Sequence, residues 1–408
     1  ALESLSLSTI YLIGDLPEGI SKLKHLKSLD LAGTNIYSLP DDIGELAENL
    51  TTLNLRGCQA LASLGENIGK LVNLKTLTLS GCKVLKELPE GFGNLIQLTA
   101  LDLSDCERLE RLSSDIGNLQ VSTLTLRGCK LLKAVPGSFG KLDKLTKLNF
   151  YDCAALESLP ESIGNLTKVT EIDVSQCTAL TSLPASLGQL TGLKKLTMPR
   201  TGLTTLPAAI SSLSALEELD VTGKEGTPGI RGVAADVFSG LTKLKKLNAS
   251  NNSFSGDLSW LKNLSALQTL RLDGNQLSGQ LDLSQFSPNL TDVYLSNNKL
   301  EGNLNGISTL TKVRNLYLEH NLLSGELPAE LGNCSTLSYF YLSNNNITGT
   351  IPVEVAKMNL GYSGLKLNGN RMSGEIPAEV LSSAVWKKLY PETNIYPQQE
   401  GYGFSNVK

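Results

Sequence analysis

Aromatic side chains are scarce in this sequence. They make up 5% of 408 residues against a hydrophobic share of 41%, so the apolar mass is aliphatic, as when one residue type fills the same slot many times. A large surplus of either charge is missing too. Lys and Arg number 36 against 40 Asp and Glu, a formal net charge of -4 spread along the chain, which gives no sustained basic field for nucleic acid or an anionic membrane. No apolar run reaches the roughly 18 residues a membrane-spanning helix requires, because Lys, Asp, Asn or Gly interrupts every leucine cluster. The two histidines, His25 and His320, lie too far apart to share a metal site or a proton relay. No phosphate-binding G-x-x-x-x-G-K-[ST] or G-x-S-x-G sequence exists, and the seven cysteines form no C-x-x-C pair. The reading is therefore no metal, no cofactor and no catalytic constellation, hence a chain that is not an enzyme.

What is present is a period. The pattern Leu-x-x-Leu-x-Leu runs through Leu2, Leu5 and Leu7, then Leu26, Leu29 and Leu31, and onward to Tyr362, Leu365 and Leu367. Its starts fall at 2, 26, 50, 74, 98, 121, 145, 169, 193, 216, 244, 267, 290, 313, 337 and 362, spacings of 23 to 25 residues with one of 28. That is the range of a leucine-rich repeat. Alternating Leu-x-Leu gives a short strand with leucines inward and the intervening residues outward, and one unit cannot bury its own leucines, so units must stack. The expected fold is an α/β solenoid, a right-handed superhelix of about sixteen repeats with a concave parallel sheet. Leu-Pro pairs at Leu39-Pro40, Leu88-Pro89, Leu159-Pro160, Leu183-Pro184 and Leu206-Pro207 predict short helical or 3₁₀ turns on the convex side, since proline suits a first helical turn and Gly ends a short one.

Two kinds of repeat can be told apart. Between 1 and 222 the slot after the strand is often Cys, at Cys58, Cys82, Cys106, Cys129, Cys153 and Cys177; over 244–380 it is Asn, at Asn252, Asn275, Asn298, Asn321, Asn345 and Asn370. Between them, 223–243 holds an irregular repeat whose 223–232 stretch, GKEGTPGIRG, reads either as a tolerated loop or as a ligand-contacting projection. Leucines fade after about 380, and Trp386, Tyr390, Tyr396, Tyr402 and Phe404 follow. The segment 381–408 is expected to be an aromatic cap over the last repeat's core.

The first half, as in LKTLTLSGCKVLKELP over 74–89, resembles the leucine-rich regions of plant nucleotide-binding disease-resistance proteins. The second, as in LLSGELPAEL over 322–331 with echoes at 347–352 and 372–377, is similar to the plant-specific repeats of receptor kinases and polygalacturonase-inhibiting proteins. The resemblance implies a scaffold whose specificity lies in variable positions. It departs from secreted plant members in lacking their paired-cysteine caps. The sequence opens at Ala1 inside a repeat, which fits a removed leader or a piece of a longer chain.

Compartment stays open. Six unpaired cysteines in one slot read as reduced, buried thiols and lean toward the cytoplasm, whereas eight sequons, at Asn49, Asn165, Asn248, Asn251, Asn263, Asn289, Asn333 and Asn346, allow an extracellular or cell-surface chain.

The outward residue before the third Leu carries the functional expectation. It runs Ser6, Asp30, Asn54, Thr78, Asp102, Thr125, Asn149, Asp173, Thr197, Asp220 and Asn248, all small and polar, then Arg271, Tyr294, Tyr317, Tyr341 and Lys366. Tyrosine and arginine are enriched at binding hot spots. The candidate ligand surface on the concave face is Arg271, Asp273, Tyr294, Arg314, Tyr317, Glu319, His320, Tyr339 and Tyr341, with Asp292 beside them; the alternative is a ladder that only stabilises the sheet. The leading function is a non-catalytic module binding a protein or peptide, the recognition part of an immune or signalling receptor. Alternatives are a secreted enzyme inhibitor or polysaccharide binder, which makes carbohydrate a second partner class, and a structural, adhesion or ice-binding solenoid.

Overall fold

The computed structural model describes residues 2–8, 10, 12–17, 19–227 and 229–406, so Pro228 of the inserted stretch and the last two positions of the tail lie outside it. Each leucine motif forms a strand of two or three residues. Nine of these strands, from Ser4–Ser6 to Lys195–Thr197, belong to a first unit, 1–213, and seven, from Glu218–Asp220 to Leu365–Lys366, to a second, 214–408. Within each unit the strands pair in parallel and in register, as in Leu124 with Leu148 and Val293 with Leu316. Inward leucines such as Leu53, Leu77, Leu270 and Leu316 are buried, and their sequence neighbours face outward. Short 3₁₀ turns return the chain behind the strands, for example Asp41–Leu46, Glu161–Asn165 and Ala185–Gln189. Proline stands just before the turn: Pro40, Pro160, Pro184 and Pro207 hold φ between -66° and -72° at the capping position.

The slot after the strand joins neighbouring repeats by hydrogen bonds. In the first unit each thiol donates to a backbone carbonyl of the preceding repeat, as Cys82 Sγ to Leu55 O at 3.1 Å and Cys106 Sγ to Leu79 O at 3.2 Å. Asn does more, having both a donor and an acceptor. Asn298 Nδ2 donates to Leu272 O and Leu295 O, each at 3.0 Å, and its Oδ1 accepts from Leu277 N at 3.0 Å. Asn252, Asn275, Asn321, Asn345 and Asn370 repeat this, with Oδ1 accepting from Ile230, Phe254, Leu300, Leu323 and Ile347 N. Holding that amide keeps the chain extended as it leaves the turn. A second parallel sheet follows there, of Arg231–Val233, Ser253–Gly256, Gln276–Leu281 and Lys299–Gly302.

In the inserted stretch, residues 224–227 are exposed, and the chain then enters Arg231–Val233 and the helix Ala234–Phe238. At the other end, the tail covers the last repeat with Val385, Leu389, Ile395 and Phe404, all buried, while Tyr390 and Tyr402 are exposed. Its backbone also pairs the last open edge: Leu367 N donates to Asn394 O at 2.6 Å, and Gly403–Phe404 runs parallel to Ser373–Gly374.

Candidate binding surface

In most repeats before Arg271 the outward strand position has a backbone duty. Oδ1 of Asp30, Asn54, Asp102, Asn149, Asp173 and Asp220 accepts the N–H two residues on, at 2.9–3.1 Å, closing the turn by which the chain leaves the strand. Threonine at Thr78, Thr125 and Thr197 makes no such contact. From Arg271 onward the duty is given up, and large side chains take the position.

These side chains form one row. Register sets Arg271 beside Tyr294, then Tyr317, Tyr341 and Lys366. The Tyr294 and Tyr317 rings stack with centroids 4.7 Å apart and planes 22° off parallel; Tyr317 and Tyr341 are also 4.7 Å apart but meet edge to face at 72°. Arg271 Cζ lies 4.1 Å from the Tyr294 centroid, and Lys366 Nζ lies 4.1 Å from that of Tyr341. A cation therefore closes the row at each end. Tyr294 and Tyr317 turn faces to each other, whereas Tyr341 stands across Tyr317 and carries Lys366 over its own ring. Burial, then the neighbouring Tyr341 and Tyr294 and the Glu319 carboxylate, push the Tyr317 hydroxyl up to about 12, so it is a neutral donor at physiological pH.

The flanking candidates fall on either side. Asp273 and Glu319 follow the strands and are half-buried, accepting from Ser250 Oγ at 2.7 Å and Ser296 Oγ at 2.9 Å. His320 is exposed, holds φ 54° in the left-handed region, and has Nε2 3.2 Å from Asn344 Nδ2. Tyr339 opens its strand and meets Tyr341 edge to face at 6.2 Å. Asp292 is held by Thr291 Oγ1 at 2.7 Å and by Asn315 Nδ2. Arg314 is exposed and sits before its strand, off the row. Sequence reasoning placed Lys366 in the outward series without assigning it to the surface; its ring contact depends on register. It also missed an open depression of about 450 Å³ bounded by Glu319, His320, Tyr341 and Lys366 on one side and by Thr393 and Asn394 of the tail on the other.

A family profile described as a leucine-rich repeat region matches residues 90–198 and 152–304, more than half of the chain, and single leucine-rich repeats match 73–95, 312–334 and 336–358. Over 67 residues the chain is 46% identical to the TMV resistance protein N of Nicotiana glutinosa; the match spans 16% of this chain and 6% of that protein's length. Among solved structures, a TDR receptor aligns over 94% of this chain and 67% of its own, with a TM-score of 0.67 and 27% identity. A leucine-rich-repeat protein of Leptospira interrogans aligns over 88% of this chain and 95% of its own, with a TM-score of 0.59 and 28% identity. With a leucine-motif strand in every repeat and this family match over more than half of its length, the chain belongs to the leucine-rich repeat family and is of its plant type.

Proposed function

We propose that this chain is the recognition part of a receptor, binding a protein or peptide without catalysis on the strand face of 267–366. The observation that carries the reading is the abrupt change in the outward column, from turn-closing Asp and Asn to a row of tyrosines closed by Arg271 and Lys366. Large aromatics there give up a backbone hydrogen bond that small polar residues supply elsewhere, and they gather the residue types that dominate binding energy. Similarity to a resistance protein and to a receptor supports an immune or signalling role. Capture of the partner on immobilised chain, followed by hydrogen exchange of the purified complex, tests the reading. Protection gathered on 267–368 supports it; protection confined to 1–213 sinks it.

A further inference from the structure

Glycine directly after Asn or Asp occurs three times in this sequence, at Asp273-Gly274, Asn305-Gly306 and Asn368-Gly369. Such a pair can react with itself, because glycine has no β-carbon to shield its amide nitrogen or to restrain the local backbone. The attack requires the peptide unit between the two residues to turn, so hydrogen bonds at that unit oppose it. Two of the three pairs are locked. Gly274 N donates to Ser296 O at 2.9 Å, while Asp273 O accepts from Asn251 N at 2.8 Å. Gly369 N donates to Pro397 O at 2.6 Å, Asn368 O accepts from Asn344 N at 2.9 Å, and Asn368 Oδ1 accepts from Ser343 Oγ at 2.6 Å.

Asn305-Gly306 is not locked. Asn305 is exposed, and neither its side-chain amide, its carbonyl oxygen nor the Gly306 N–H meets a partner among the described residues. The turn is held on either side of that peptide unit instead, by Asn305 N to Asn303 Oδ1 at 2.9 Å and by Ile307 N to Leu304 O at 3.2 Å. We infer that Asn305 is a site of self-modification, converted through its own Gly306 amide to aspartate and isoaspartate, and that Asn368 is kept intact by the contacts that pin it. In the first step Gly306 N bonds to Asn305 Cγ, the Cγ–Nδ2 bond breaks, and the departing nitrogen takes the glycine amide proton and leaves as ammonia. In the second, water opens the resulting cyclic imide, its hydroxyl going to one carbonyl carbon and its proton to the ring nitrogen. Opening at Cγ gives aspartate. Opening at the backbone carbonyl gives isoaspartate, which lengthens the main chain by one carbon beside Gly306. Either product adds a negative charge to a turn packed on the preceding repeat, where a β-carbon on Gly306 would stand 2.7 Å from Ser284 N.

To test it, the purified whole chain is held in mildly alkaline buffer, folded and in urea, and digests sampled over time are read by mass spectrometry for amide-to-acid exchange at Asn305 and Asn368. Alkali speeds the reaction because the attacking nitrogen must shed its proton. In the folded chain Asn305 should convert at least tenfold faster than Asn368. In urea, where both peptide units are free to turn, the two rates should come together. The product at Asn305 should include isoaspartate, which direct hydrolysis of the side-chain amide cannot give. An Asn305 that stays intact, a product without isoaspartate, equal rates in the folded chain, a faster Asn368, or a ratio that urea leaves unchanged overturns the inference.

Discussion

Gly117 packs against Ser138 of the next repeat so closely that a β-carbon on Gly117 would stand 2.0 Å from the Ser138 carbonyl oxygen. The same approach recurs from Gly93 to Asp115 at 2.1 Å and from Gly140 to Ser162 at 2.2 Å, so glycine in these turns sets the distance between repeats. Gly117→Ala should force the turns apart and cost about 1–3 kcal/mol or more, as overpacking does. Gly137, with nothing within 4 Å of its would-be β-carbon, should accept alanine with little loss. Urea unfolding of both variants decides it; equal midpoints would show that the close approach relaxes freely.

The two inter-repeat ladders should differ in strength. Cys106 makes one weak sulfur bond to Leu79 O, whereas Asn298 donates to Leu272 O and Leu295 O and accepts from Leu277 N. At about 1 kcal/mol net per hydrogen bond, and more where a buried partner is left unmet, Cys106→Ala should cost on the order of 1 kcal/mol and Asn298→Ala roughly 3 kcal/mol. Chemical denaturation gives both, and a smaller loss at Asn298 contradicts the account.

How far the sequence could be read follows from what each residue type discloses. Leucine spacing and alternation betray strands and the inward face, so the register of Tyr294, Tyr317 and Tyr341 was legible. Residue type does not disclose which carbonyl or amide a side chain meets. Asp102 and Asn149 therefore read only as small polar outward residues, although each closes a turn, and glycine in the turns read only as their end. The Asn slot was visible, but the second sheet it organises was not, because that depends on Oδ1 reaching an amide of the preceding repeat. In the tail, rare aromatics drew the eye from the aliphatic Val385, Leu389 and Ile395 that join Phe404 in the buried contact.

Removing 385–408 should therefore expose the Leu365 repeat and the strand edge that Asn394 and Gln399 cover, the latter through its N–H to Asn370 O at 2.7 Å. The truncated chain should melt lower and aggregate more readily. An unchanged melting curve would show that the tail contributes nothing to the cap.

Alkaline titration reports on the row. The Tyr317 hydroxyl, pushed up to about 12 in the folded chain, binds its proton more tightly than an unfolded tyrosine near 10. Its share of stability is thus fully present below pH of about 10 and is lost as pH rises toward 12. Absorbance at the tyrosinate band should show this late-titrating group, and Tyr317→Phe should remove it. A Tyr317 that ionises with exposed tyrosines contradicts the packed row.

The central claim is that the tyrosine row binds rather than braces. Truncating a hot-spot aromatic typically costs on the order of 2 kcal/mol or more of binding, so Tyr294→Ala, Tyr317→Ala and Tyr341→Ala together should weaken the purified partner by well over tenfold. Thr78→Ala, Thr125→Ala and Thr197→Ala form the matched control, chosen at outward positions where no turn-closing hydrogen bond is lost, and should leave affinity unchanged. Calorimetric titration of both triple variants, with melting curves recorded alongside, gives the answer. If the tyrosine variant is less stable yet binds with unaltered affinity, the row serves only the sheet, and the binding surface lies elsewhere.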